Sequence, residues 1–187
     1  SNIPELLVLA PTSVEEYLSM LRWSLKQREN PVAILIPSTE LCHATGAVRE
    51  SFSLPARYEI LQRGKELAIL TPGDMQALGK KTAAVLEEQY GLTPTLVNPG
   101  VVSDLDEALL ASLKEEHRAV LVLEDGLLSG GFGAKVAGFY GDSEMKVLLR
   151  GLPKAFYDRY RISSLLKAQG MTPEQLAEAC AAAIETK

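Results

Sequence analysis

The sequence contains few of the residues on which metal and disulfide chemistry depend. Its 187 residues include two cysteines and two histidines. Cys42 and Cys180 lie far apart and outside any CxxC spacing, and neither His43 nor His117 has a partner at metal-ligand spacing. We therefore expect two free thiols in a reducing compartment, and no metal ligands.

Basic clusters and long apolar runs are also missing. The formal net charge is -5, and the densest basic pair is Lys80 and Lys81. Nucleic acids and anionic membrane surfaces attract clustered positive charge, so neither is expected as a partner. No apolar run reaches the ~18 residues of a transmembrane helix, and the amino terminus lacks a signal-peptide pattern. We expect a cytoplasmic protein, whose first two residues resemble a cloning remnant ahead of a natural segment near Ile3.

Complete catalytic motifs are absent as well. The chain has no GxGxxG fingerprint, no phosphate loop ending in GK[ST], no GxSxG elbow and no reactive-cysteine signature. We predict that it carries no catalytic residue, no cofactor-binding residue and no metal ligand of its own.

What the sequence does contain is the pattern of a globular α/β protein. Apolar runs of strand length alternate with amphipathic segments of helical length, which indicates right-handed crossovers and a mainly parallel sheet. The predicted strands are residues 6–10, 32–36, 58–61, 67–70, 95–97, 120–123 and 146–149. The first predicted helix begins after Thr12 and Ser13. The other predicted helices cover residues 75–90, 104–117, 131–140, 162–169 and 173–185.

The first predicted helix has a narrow apolar stripe. Val14, Leu18, Leu21 and Leu25 recur at spacings of three or four residues, whereas Trp23 lies off that line. This periodicity predicts that the stripe faces the core.

The chain is predicted to fall into two parts. Residues 1–37 form one β-α-β unit, which cannot bury both faces of a two-stranded sheet by itself. Residues 38–55 are polar and long for a connection, which indicates a domain boundary. Beyond it, the strands at 58–61 and 67–70, joined at Arg63 and Gly64, are predicted to form a hairpin.

A glycine-rich turn follows the strand at residues 120–123. The turn contains Ser129, Gly130, Gly131 and Gly133 and opens a helix, so its N–H groups could hold an anion. Tight turning and close packing of helix on sheet form the preferred interpretation.

Polar residues also stand at two strand ends. Glu124 and Asp125 are adjacent carboxylates, for which a strand-end cap or an interface contact is preferred over proton sharing. Ser38, Thr39 and His43 follow the carboxyl end of the second strand, where they are either substrate-adjacent or part of a polar connection.

In order along the chain, several segments resemble the transketolase superfamily, and within it the family of 1-deoxy-D-xylulose-5-phosphate synthases. Residues 9–16 are similar to the family pattern "aPsdeeEl", and residues 30–34 to the strand of "gPvavRyPrG". Residues 64–70 resemble the start of the family's C-terminal domain, and residues 105–110 its "kPLDeelL" helix. The most specific similarity is residues 123–133 to "vEegvlaGGfGsav". Residues 151–153 match "lGLPd" shortly afterwards.

The resemblance implies a fold and a set of partners. Residues 1–52 would be the last β-α-β piece of a pyrimidine-binding domain, and residues 53–187 a transketolase C-terminal domain, a three-layer α/β/α domain on a mainly parallel, mixed five-stranded sheet. Thiamin diphosphate and Mg²⁺ would be held by upstream diphosphate- and pyrimidine-binding domains of the whole homodimeric enzyme, and not by this chain.

One departure bears on the substrate. The family's "RyPRG" carries arginines suited to a sugar phosphate, whereas residues 35–39 here read Leu-Ile-Pro-Ser-Thr. A different acceptor or a divergent paralogue would explain the change. Two alternatives remain: the C-terminal region of a transketolase or 2-oxoacid dehydrogenase β-subunit, and a stand-alone regulatory module that binds an anion or nucleotide at the glycine turn.

Overall fold

The computed structural model describes residues 3–36, 42–158 and 161–185. Its strands are β1 (Leu7–Leu9), β2 (Val32–Ile34), β3 (Glu59–Gln62), β4 (Glu66–Leu70), β5 (Thr95–Asn98), β6 (His117–Leu127) and β7 (Lys146–Leu152). Its helices are α1 (Val14–Lys26), α2 (Met75–Tyr90), α3 (Glu107–Leu113), α4 (Phe132–Tyr140), α5 (Ile162–Ala168) and α6 (Pro173–Glu185).

Strands β3 to β7 form one five-stranded sheet in the order β3-β5-β4-β6-β7. All neighbours are parallel except β3, which runs antiparallel to β5. One face of the sheet packs against α2 and α6, and the other packs against α3 and α4. The predicted α/β class, with a mixed and mostly parallel five-stranded sheet between helical layers, is confirmed.

The predicted hairpin between β3 and β4 is wrong. The two strands do not pair, because β5 lies between them. The chain steps across the start of β5 at Gly64, whose N–H donates to Thr95 Oγ1 over 2.9 Å. All but the first residue of β4 is buried, whereas no residue of β3 is. The apolar strand therefore takes the centre of the sheet with two parallel neighbours, and the more polar strand takes the edge.

Helix α3 is shorter than the predicted 104–117. The Asp106 carboxylate accepts from Leu109 N over 3.1 Å and caps the helix, so that it begins at Glu107. At the other end, His117 already belongs to β6, where it pairs with Glu66.

The β1-α1-β2 unit has a parallel two-stranded sheet of its own. It meets the larger domain through an isolated antiparallel bridge between Leu9 and Val101, flanked by a 2.9 Å bond from Val102 N to Val8 O. A hydrophobic cluster that the two units share, and that includes Leu9, Met20 and Phe52, lies below this bridge. In the described residues the two sheets stay separate.

Helix α1 faces the core with the side opposite to the predicted one. Glu16 and Met20 are buried, and Trp23 packs edge-on against Phe52 with ring centroids 5.9 Å apart. Leu18 and Leu25 of the predicted stripe are 39% and 77% exposed. The predicted orientation is wrong, because the inward side carries Glu16, which is bonded there to Asn98 and Arg49.

Those partners form a buried polar cluster between the two units. Glu16 accepts from Thr12 N at 2.8 Å, from Asn98 Nδ2 at 3.1 Å and from Arg49 Nη2 at 3.2 Å. Arg49 also donates to Arg57 O at 2.7 Å. The cluster therefore joins α1, the connecting segment and the end of β5.

Candidate functional site

The carboxyl ends of β4 and β6 open into a cleft below the β1-α1-β2 unit. Parallel strands present their functional groups at this end, where loops from several strands converge. The cleft has a volume of about 420 Å³. Its walls are mostly apolar and include Ala10, Leu35, Pro72, Phe132, the acid Asp125 and the amine Lys135.

The glycine turn at the mouth of this cleft is closed by a carboxylate of the protein itself. Glu124 is 7% exposed and accepts from Phe132 N and from Gly133 N, each over 2.7 Å. These N–H groups lie at the amino end of α4, where a negative charge is favoured. Burial raises the pKa of Glu124, and the two N–H groups act against that rise. Glu124 thus supplies the anion that the turn accepts.

The glycines of the turn allow this close approach. A Cβ added at Gly131 would overlap the Glu124 carboxylate and lie 2.7 Å from Leu127 O. One added at Gly133 would lie 2.7 Å from Glu124 Oε1 and 2.8 Å from Leu149 Cδ2. This geometry supports the preferred interpretation, in which the glycines serve tight turning and packing.

Asp125 diverges from Glu124 and points outward. Glu124 turns into the helix end, whereas Asp125 is exposed and lines both the cleft and its neighbour. Partial desolvation in the cleft, followed by the charge of Asp74, raises the pKa of Asp125 to about 6. Glu124 lies within β6 and caps the amino end of α4, so the predicted strand-end cap differs from the contacts it makes, and proton sharing between the two neighbours has no geometric support.

A second cleft of about 600 Å³ adjoins the first across Asp74 and Asp125. His43 lies on its rim, and its Nδ1 is 2.7 Å from Glu15 Oε1. The second Glu15 oxygen accepts from Ala44 N over 2.7 Å. These bonds, led by the one from Ala44, lower the pKa of Glu15 to about 2. The carboxylate fixes the loop and orients the imidazole.

The structure brings only part of the predicted site together. Gly130 and Gly131 line the first cleft, His43 lines the second, and Ser129 and Gly133 line neither. Ser38 and Thr39 lie outside the described residues.

Sequence reasoning missed two cleft residues, Asp74 and Lys135. Lys135 Nζ donates to Ser103 O over 2.6 Å. Asp74 could have been noticed, because it follows β4 directly after Pro72 and Gly73. Nothing in the sequence marks Lys135 as a cleft residue.

The residues present do not fit a thiamin diphosphate and magnesium site. Across residues 3–36, 42–158 and 161–185, no three His, Cys, Asp or Glu side chains are grouped to hold a metal ion. The glycine turn before α4, which the sequence offered as an anion site, already holds Glu124. In the same described ranges, no helix combines the length and apolarity needed to cross a bilayer.

Comparison with known proteins finds a matching family model and similar sequences. The family model "Transketolase, C-terminal domain" matches residues 56–176. A 1-deoxy-D-xylulose-5-phosphate synthase from Shouchella clausii is 34% identical over 95% of the chain, and one from Synechococcus sp. strain CC9605 is 36% identical over 94%. The chain spans 28% of the length of each of these relatives.

Solved structures show the same fold at lower identity. A split-gene transketolase, titled an inactive β4 tetramer, superposes with a TM-score of 0.80 and 22% identity over 98% of this chain and 58% of its own. A Pichia stipitis transketolase mutant, H261F, gives a TM-score of 0.75 and 17% identity over 98% of this chain and 26% of its own.

Proposed function

The chain belongs to the transketolase C-terminal domain family, and from that premise we propose that it is the carboxyl-terminal region of a thiamin diphosphate-dependent transferase. The proposed type is a cytoplasmic 1-deoxy-D-xylulose-5-phosphate synthase, which joins pyruvate and glyceraldehyde 3-phosphate with release of CO₂. The observation that carries this proposal is the similarity to curated synthases of that name along nearly the whole chain.

We divide the chain into residues 1–52, the end of a pyrimidine-binding domain, and residues 53–187, a C-terminal domain. Two observations support this division. The two sheets are separate, and the smaller has only two strands, too few for an independent core. The family model begins at residue 56, just after the proposed boundary.

The proposed task of this region is structural. It packs against the upstream diphosphate- and pyrimidine-binding domains and supports a homodimer, while those domains hold thiamin diphosphate and Mg²⁺. The misfit between the cofactor and the described residues supports this assignment. When bound upstream, the cofactor supplies the carbanion chemistry of the reaction, and no step of it is assigned to residues of this chain.

The acceptor of the parent enzyme is the least constrained part of the proposal. Leu35 and Ile36 stand where the family pattern begins its arginine-bearing segment, and they are 51% and 65% exposed. Aliphatic side chains cannot grip a phosphate, so the parent enzyme must hold a phosphorylated acceptor with other groups or use another acceptor.

Two measurements test the proposal. The open reading frame upstream of Ile3 should encode diphosphate- and pyrimidine-binding domains, and the complete protein should form 1-deoxy-D-xylulose 5-phosphate from pyruvate and glyceraldehyde 3-phosphate. Isothermal titration of the 187-residue chain with thiamin diphosphate and Mg²⁺ should give no heat of binding. Tight, magnesium-dependent binding by the chain alone would overturn the structural role.

The alternatives make different predictions in the same experiments. A transketolase or 2-oxoacid dehydrogenase β-subunit would carry different upstream sequence and would not form that product. A stand-alone anion-binding module would bind phosphate or a nucleotide at the glycine turn, but Glu124 would first have to leave the N–H groups it accepts from.

A further inference from the structure

A half-buried histidine joins three elements at the amino ends of the central strands. His117, the first residue of β6, has its Nδ1 2.9 Å from Leu113 O at the end of α3 and its Nε2 2.8 Å from Thr95 Oγ1 on β5. Thr95 Oγ1 also lies 3.0 Å from Gly64 O, and it accepts from Gly64 N over 2.9 Å. Thr95 is 3% exposed, so these partners, rather than water, decide where its hydroxyl hydrogen points.

The carbonyl of Leu113 fixes which nitrogen of His117 always carries hydrogen. A carbonyl oxygen can only accept, so Nδ1 is the donor to Leu113 O in both charge states of the imidazole. In the neutral imidazole Nε2 then has a lone pair and needs a donor. In the protonated imidazole Nε2 carries hydrogen and needs an acceptor. The partner at Nε2 is a hydroxyl, which can serve as either.

The Thr95 hydroxyl has one hydrogen and two acceptors within reach. While His117 is neutral, the hydrogen belongs on Nε2, because turning it to Gly64 O would leave two lone pairs facing each other across 2.8 Å. When His117 is protonated, Nε2 donates to Oγ1, and the hydroxyl hydrogen is released to Gly64 O at 3.0 Å. Oγ1 then accepts from His117 and from Gly64 N and donates once, which uses its whole bonding capacity.

We propose that the Thr95 hydroxyl is a proton-controlled switch, which donates to His117 Nε2 when the imidazole is neutral and to Gly64 O when it is protonated. The imidazole takes its proton from solvent, while the hydroxyl hydrogen stays on Oγ1 and only rotates. Gly64 is the step between the edge strand β3 and the central strand β4, and a Cβ there would lie 2.6 Å from Thr93 C. Protonation therefore holds this closely packed step with two bonds to Thr95 instead of one.

The charged groups around His117 are largely paired with one another. Glu66 on β4 pairs with Arg118 on β6, and Glu116 pairs with Lys65, each over 2.9 Å. The groove that His117 lines, through which solvent protons reach it, also contains Lys114, Glu144 and Lys146. Because acids and bases are both present on the neighbouring elements, no single ion pair dictates the charge of the imidazole.

The switch works against the cost of burying the charged imidazole. Burial lowers the pKa of His117, while the bond to Leu113 O and the charges of Glu116 and Glu66 act in the other direction. Thr95 also acts in that other direction, because it gives the protonated imidazole one more hydrogen bond in the network than the neutral one. All the residues of the switch belong to the C-terminal domain, so this inference goes beyond the proposed function and does not rest on it.

The test is nuclear magnetic resonance of the isotopically labelled 187-residue chain and two variants. In the wild type above the His117 pKa, imidazole ¹⁵N shifts should show hydrogen on Nδ1, and the Gly64 carbonyl ¹³C signal should titrate with the pKa of His117. Thr95→Val keeps the side-chain shape but removes the hydroxyl. It should lower the pKa of His117 by roughly 0.5–1 pH unit, since the charged state loses one net hydrogen bond, and it should abolish the titration of Gly64.

Thr95→Ser is the matched control, because it keeps the hydroxyl and should behave as the wild type in both titrations. His43, the other histidine, is an internal reference whose signals should respond to pH identically in all three proteins. Hydrogen on Nε2 in the neutral wild type, or a Gly64 carbonyl that ignores the titration of His117, would overturn the proposal without any variant. An unchanged His117 pKa in folded Thr95→Val would overturn it as well. If that variant fails to fold, the two wild-type measurements decide.

Discussion

Replacement of Glu124 by alanine tests whether the glycine turn is built around an internal anion. The change removes two hydrogen bonds of 2.7 Å from a carboxylate that is 7% exposed. Bonds to a charged group contribute about 1.5–3 kcal/mol each, and the cost of burying the carboxylate offsets part of that sum. We expect a net loss of about 3 kcal/mol, which corresponds to a fall in Tm of about 6–12 °C for a chain of this size.

The same variant should be rescued by a small anion. Without the side chain, Phe132 N and Gly133 N point into a vacated space beside the positive end of α4, which formate can enter. Tm should rise with the logarithm of formate concentration above its dissociation constant, with about 1.4 kcal/mol regained at roughly ten times that constant. Thermal denaturation in sodium formate measures this, with sodium chloride at equal ionic strength as the reference.

Glu178→Ala is the matched control, because Glu178 is an exposed carboxylate on α6. Its Tm should stay within a degree or two of wild type, and formate should not change it. A loss below about 1 kcal/mol in Glu124→Ala would refute the capping argument. Equal stabilisation of wild type, control and variant by formate would refute the idea of an anion-shaped space.

The remaining predictions concern charge and thiol burial. The pKa of Asp125 is raised to about 6 in the folded state, so on lowering the pH the folded state takes up this proton at a higher pH than the unfolded state does. Protonation of Asp125 therefore favours folding increasingly as the pH falls through 6. Asp125→Asn should therefore stabilise the chain at pH 8 by at most about 1 kcal/mol, after allowance for solvent screening. It should also make the urea midpoint less dependent on pH between about pH 4 and 7. Arg49→Met leaves buried Glu16 without its cation and should cost about 3 kcal/mol by urea denaturation, whereas near-wild-type stability would contradict the role of the buried cluster. Burial raises the pKa of Cys180 to about 12, so a thiol reagent should label exposed Cys42 alone in the native chain, and two labels before unfolding would contradict that placement.

Helices with strong end signals were predictable from the sequence. The predicted bounds of α2 and α6 agree with the structure at both ends. At α2 the helix ends at Gly91, whose φ of 62° suits glycine, and at α6 Pro173 occupies the first helical position. These signals lie in the sequence next to the helix ends, so the neighbouring residues are enough to identify them.

The order of strands depends on contacts that the sequence does not display. The runs that became β3 and β4 are close in sequence, and a hairpin satisfies every local rule. Their separation by β5 follows from the need of a nearly fully buried strand for two parallel neighbours, which a single strand pattern cannot specify. The sequence predicted a strand-end cap or an interface contact for Glu124, but not that it would lie within β6 and cap α4.

The orientation of α1 shows most clearly where periodicity stops being informative. A helical pattern identifies an apolar line, but it does not say whether the surface that covers the line belongs to the same chain. The inward face of α1 is held by Glu16, and the bond from Asn98 reaches it across 82 residues of sequence. A lone glutamate among apolar neighbours is expensive to bury without such a partner, and with the partner it fixes the rotation of the helix. The apolar line is then left outside, where only another surface can cover it.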